Sequence, residues 1–166
     1  MDKLWSPWRS NYIQSFKNKS DDNECVFCTA PKLDLDNDES LVVKKSEHCF
    51  VMLNLYPYNS GHLMVIPYRH LSDIEDLTQE EFTDITNLIK HSKRVLTHVM
   101  KPQGFNIGAN LGKAAGAGID QHIHFHILPR WIGDTNFMPA IGEVKVISQD
   151  LLESKRELIK AFEEVG

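Results

Sequence analysis

In residues 121–131, QHIHFHILPRW, three histidines fall at alternate positions. His122, His124 and His126 are separated and followed by Ile123, Phe125 and Ile127. On a helix, residues two apart point in widely different directions; on a strand they share a face. The spacing therefore predicts a strand with three imidazoles on one side and three large apolar groups on the other. The apolar side belongs to a core. The imidazole side faces a cleft, because three polar rings in a dry interior would need partners. A polar strand face, a tag-like tract or a metal site of neutral imidazoles would also supply three histidines. Strict alternation with bulky apolar residues argues against the tract, and the preceding loop argues for chemistry. Gly112, Gly116 and Gly118 follow Asn110 and lead into the histidines. Glycines there let backbone N–H groups close on an anion and cradle a phosphate. An imidazole nitrogen beside that phosphate can attack phosphorus, giving a phosphoramidate that a second acceptor cleaves. Neighbouring rings orient the nucleophile, stabilise charge on the phosphoryl oxygens and help the leaving group depart. No carboxylate pair or Ser-His-Asp pattern competes with this reading.

A second constellation lies upstream, Cys25-Val-Phe-Cys28. Taken alone it fits a redox pair, half of a zinc site or two core thiols. The redox reading wants the pair after a strand in a βαβ unit, a pattern absent here. The zinc reading needs two more ligands, for which His70 and His122 are candidates. The third cysteine, Cys49, sits in an apolar stretch as an inert buried thiol, and three cysteines do not make a disulfide framework. His48, His91 and His98 have no supporting pattern and read as surface or helix residues.

These residues need elements to hold them. Short strands are expected at 41–45, 49–54 and 62–67, the last after a Ser60-Gly61 turn. A helix follows, opened by Thr78 and Glu81 at capping-box spacing and closed by Lys101-Pro102. Its apolar face is read as Phe82, Ile85, Ile89, Leu96 and Val99. Further strands are expected at 104–111 and 121–128, and a last helix at 149–162 with Leu151, Leu158 and Phe162 on one side. The order predicts an α+β fold, an antiparallel sheet of about five strands with a long helix and a C-terminal helix. With 166 residues, 42% hydrophobic and 25% charged, the chain suits one domain. We read it as an extension over 1–24, a core over 25–137, and a tail and helix over 138–166. A net charge of −5 gives no sign of broad, sequence-independent nucleic-acid binding, which needs a basic face. No apolar run approaches the ~20 residues that span a bilayer. Residues 1–20 lack the apolar centre of a signal peptide, so a cytoplasmic location without membrane association is expected.

Residues 122–128 match at every position the His-φ-His-φ-His-φ-φ signature, φ being apolar, and the sequence here resembles the histidine triad family. The resemblance runs from about Cys25 to Phe137 and includes NLYPYNSGHLMVIPYRH at 54–70. SPWR at 6–9, GAG at 116–118 and PRWIGDTNFMP at 129–139 are similar to the branch containing diadenosine tetraphosphate phosphorylases. The resemblance implies that His124 is the nucleophile that becomes nucleotidylated. It implies a hydrogen-bonded chain orienting that ring, including His62 and a backbone carbonyl of the triad strand. His126 would lie against the α-phosphate, Asn54 would hold the ribose, and Asn110 and Gln121 would touch the phosphate or leaving group, beside the Gly118 of the glycine loop. Some members hold structural zinc with positions matching Cys25, Cys28, His70 and His122, and the family is generally homodimeric. The substrate implied is a dinucleoside polyphosphate or another adenylate conjugate. Several phosphorylases of the family carry Gln at the third triad position, where this chain has His126, so water and phosphate both stand as final acceptor. A non-catalytic nucleotide- or zinc-binding module is the rival reading.

Overall fold

The computed structural model describes residues 24–134 and 150–166. The SPWR segment, nearly all of the N-terminal extension, and the 135–139 part of the downstream flank lie outside them. Five strands form one antiparallel sheet in the order β1-β2-β3-β5-β4: β1 Val42–Lys45, β2 Cys49–Leu53, β3 Leu63–Pro67, β4 Gly104–Ala109 and β5 Phe125–Arg130. A one-turn helix α1 (Val26–Thr29) precedes the sheet, α2 (Gln79–Met100) connects β3 to β4, and α3 (Leu151–Glu164) closes the chain. The expected α+β architecture is the observed one.

Helix α2 starts on the expected capping box: Glu81 N–H donates to Thr78 Oγ1 and Thr78 N–H to the Glu81 carboxylate. It ends where Lys101 turns left-handed before Pro102. Its buried face is Glu81, Ile85, Leu88, Ser92, Val95 and Leu96, and Phe82 is exposed, contrary to the sequence reading. Each residue turns the helix by about 100°, so Phe82 falls at the rim of a stripe that begins at Glu81. Glu81 is turned inward because Arg69 holds both its carboxylate oxygens, at 2.6 and 2.7 Å. Asp84 fastens the same helix to the β1–β2 turn, accepting from Ser46 Oγ and the His48 N–H. Helix α3 packs on α2 and β1 through Leu151, Leu158, Ala161 and Phe162. Its buried Lys155 donates to the Asn37 carbonyl.

Two features place the chemistry. Gly61, just before β3, has φ +70°, and a Cβ there would lie 2.5 Å from Met100 Sδ at the end of α2. The left-handed backbone favours glycine here, and its missing side chain leaves room for the end of Met100. The strand carrying the histidines starts later than expected, at Phe125. The pairing of β5 with β3 ends at Val65↔Phe125. Upstream, Ile123 N–H donates to the Leu71 carbonyl and the Pro67 carbonyl accepts from the His122 ring. Pro67 has no N–H with which to continue a ladder.

Candidate active site and metal-ligand group

The three imidazoles lie deeper than an open cleft requires. His122 is fully buried, His124 is 6% exposed, and His126 is half-buried. Each ring has a hydrogen-bond partner, and those partners fix the tautomers, because a carbonyl can only accept and a backbone N–H can only donate. His124 Nδ1–H donates to the His122 carbonyl at 2.8 Å, which leaves the His124 Nε2 lone pair unprotonated. His62, also fully buried, accepts the Tyr58 N–H on Nδ1 at 3.1 Å. Its proton is therefore on Nε2 and is donated to His126 Nδ1 at 2.9 Å. His126 consequently carries its proton on Nε2. The outcome is one ring offering a lone pair and its neighbour offering an N–H, with ring centroids 4.8 Å apart. The carbonyl and His62 thus hold separate rings: His62 reaches His126, and His124 rests on the carbonyl.

Burial keeps these rings neutral. It lowers the proton affinity of His122 and His124, and it brings His126 down to about 4, aided by the nearby His124. A neutral ring is a nucleophile; a protonated one is not.

Several residues that the sequence reading missed shape this centre. Phe27, from inside the Cys-x-x-Cys segment, packs against both His122 and His124, at 5.5 and 5.0 Å between centroids. Tyr58 sets the His62 tautomer with its backbone and covers the ring with its side chain, 4.8 Å away. Asn59 donates to the Pro129 carbonyl and to Asp134, whose carboxylate also accepts from Arg130 Nε and Nη2, each at 2.7 Å. The PRWIGD stretch thus clamps the β2–β3 loop to the end of β5. Asn54 closes a turn in that loop by accepting the Tyr56 N–H, and its amide lies 3.4 Å from His62 Nδ1. Backbone contacts of this kind leave no side-chain signature in a sequence; the aromatic doublet around Pro57 was the available hint.

The glycine loop leaves the sheet at Ala109 and returns at Phe125, which face each other across β4 and β5. Gly112 and Gly116 have φ +77° and +88°. Gly118 is not left-handed, and a Cβ there would meet nothing within 4 Å, so it contributes open space rather than a special conformation. Asn110 is half-buried at the start of this loop and Gln121 is exposed at its end.

Cys25, Cys28, His70 and His122 meet on the far side of His122, one ligand atom from each lying within 4.8 Å of all the others. Cys25 Sγ is 3.4 Å from His122 Nδ1, and Cys28 Sγ is 3.3 Å from His70 Nδ1 and 3.7 Å from His122 Nδ1. Tetrahedral zinc with Zn–S near 2.3 Å and Zn–N near 2.0 Å would separate sulfur from nitrogen by about 3.5 Å. His122 Nε2–H donates to the Pro67 carbonyl at 2.9 Å, so Nδ1 presents its lone pair to the sulfurs. The donor set fits a metal, and the same four residues were the sequence candidates.

Fold and site together define an α+β protein with an ordered imidazole cluster where the chain enters β5, the strand between β3 and β4. The model of the HIT domain matches residues 36–131, and the chain belongs to that family. It is 42% identical over 161 residues to a protein of Mycobacterium tuberculosis named AP-4-A phosphorylase, covering 95% of this chain and 83% of that one. It is 32% identical to an adenosine 5'-monophosphoramidase of Schizosaccharomyces pombe, over 76% of this chain and 95% of the relative. Among solved structures, a Zn-bound histidine triad family protein from Mycobacterium smegmatis superposes with a TM-score of 0.64 at 26% identity, covering 85% of this chain and 94% of that one.

Proposed function

We propose that this protein cleaves a dinucleoside polyphosphate such as diadenosine tetraphosphate, by way of a nucleotidyl-His124 intermediate. The observation that carries the reading is the His124 tautomer, with Nδ1–H held by the His122 carbonyl and Nε2 free to attack. Nε2 forms a bond to the α-phosphorus, the bond to the bridging oxygen breaks, and the nucleoside triphosphate leaves as an anion. The ring becomes cationic as it reacts, and the carbonyl on Nδ1–H offsets that charge. His126 Nε2–H hydrogen-bonds the phosphoryl oxygens as negative charge builds there. Asn54 contacts the ribose, and Asn110, Gln121 and the backbone around Gly118 border the phosphates. The second half-reaction breaks the phosphorus–nitrogen bond. We assign phosphate as the acceptor, releasing ADP, on the strength of the relative named AP-4-A phosphorylase.

We further propose structural zinc on Cys25, Cys28, His70 and His122, supported by the sulfur–nitrogen spacing. Four protein ligands leave no open position, so the ion supplies rigidity and no reacting group. The chain acts as a homodimer joined along β4, whose Asn106, Ile107 and Gly108 are exposed at the sheet edge. Its cysteines, none of them in a disulfide, suit a reducing, cytoplasmic setting.

The test is product analysis with diadenosine tetraphosphate, with and without inorganic phosphate. ADP and ATP in equal amounts, only with phosphate, are expected. AMP and ATP without phosphate would make water the acceptor. No product from this substrate or a panel of adenylate conjugates would leave a non-catalytic binding module.

A further inference from the structure

The segments that build the site, residues 54–62 and 109–126, contain a single lysine or arginine, Lys113. The arginines flanking them are engaged elsewhere: Arg69 with Glu81, Arg130 with Asp134. A chain of phosphates brings several negative charges to a protein whose own net charge is −5. Backbone N–H groups can meet part of that charge, and a cationic side chain can meet more of it.

Lys113 is placed to do so. It opens the short 3-10 turn Lys113–Ala115, between the left-handed glycines Gly112 and Gly116. It lies four residues beyond Ala109, so it is within roughly 14 Å of chain from the rung that faces Phe125. Its side chain is 83% exposed, and its ammonium rests 3.8 Å from Asp120 Oδ2, at the outer limit of an ion pair. Such a pair contributes little and exchanges partners readily. Asp120 is also the sole carboxylate in these two segments, so the loop holds its one cation next to its one anion.

We propose that Lys113 is a specificity-determining residue whose ammonium group leaves Asp120 to hold the phosphates beyond the α-phosphate. The site then favours nucleoside polyphosphate leaving groups over adenylates with a single phosphate. The inference rests on the functional reading given above and adds the residue that selects the leaving group.

The experiment compares diadenosine tetraphosphate with adenosine 5'-monophosphoramidate in wild type, Lys113→Ala, Lys113→Arg and Asp120→Asn, each at two salt concentrations. Lys113→Ala should raise the KM ratio of tetraphosphate to phosphoramidate roughly tenfold, the size of one charge-assisted hydrogen bond. It should also weaken the salt dependence of KM for the tetraphosphate. Lys113→Arg should keep the wild-type ratio, and Asp120→Asn should lower it by releasing the lysine. A wild-type ratio in Lys113→Ala, with wild type active, would overturn the role of Lys113 alone. Wild type inert toward both substrates would overturn the functional reading, and this inference with it.

Discussion

At His124 the direction of one hydrogen bond decides what the ring can do. Its Nδ1–H is held by a carbonyl, so the reactive nitrogen is selected by the fold. His124→Ala should lower turnover by at least about a thousandfold while the circular dichroism spectrum stays unchanged. Acid-quenched trapping with labelled substrate should show a nucleotidyl adduct on wild type only; an adduct on His126 would sink the assignment. His126 gives a pH prediction. Its pKa is about 4 in the fold against 6.5 unperturbed, so between those values the unfolded chain binds more protons. Stability is then fully present above pH 6.5 and declines as pH falls toward 4. Urea midpoints measured across that window should fall with pH in wild type, and less steeply in His126→Gln. An equal slope in both proteins would show that His126 is not held neutral by burial.

At the scale of elements, the loop and the cysteine turn make separable predictions. Gly118→Val should leave the thermal midpoint nearly unchanged, because a Cβ there meets nothing and the backbone is not left-handed. Binding of a nucleoside monophosphate, followed by calorimetry, should weaken markedly if the anion approaches that space; wild-type affinity would make the loop a mere connection. Cys28→Ser should remove most of the zinc found by elemental analysis and lower the midpoint by about 10 °C, since metal binding here is also folding energy. Sequence periodicity was enough to expect five strands and α2, and residue chemistry offered His70 and His122 as partners for the Cys-x-x-Cys pair, the set the family resemblance also implied. It could not place Phe82 outside the core, because Glu81 is drawn inward by an arginine twelve residues upstream. Nor could it reveal that His62 answers to a backbone N–H of Tyr58, or that β5 begins only at Phe125. Those facts depend on which carbonyl or N–H arrives from another segment, and the main chain carries the same donor and acceptor at nearly every residue.

For the whole molecule, β4 is an edge of the sheet among the described residues, and Ile107 on it is 48% exposed. Ile107→Lys should convert the proposed dimer to a monomer in light scattering, and an unchanged mass would place the interface elsewhere. At the other end of the chain, α3 is bound into the same core through Leu158 and the Lys155–Asn37 contact. The strand that carries His126 and follows directly on His124, however, is not at an edge of the sheet. β5 lies between β3 and β4 and is paired with both over Phe125–Ile127. Amides in its ladder can meet solvent only when one of its neighbours detaches, so they should be among the slowest to exchange with deuterium. On warming, such a molecule has no half-competent form: catalytic output should vanish over the same few degrees as the fold itself, making the assay a direct thermometer of global integrity.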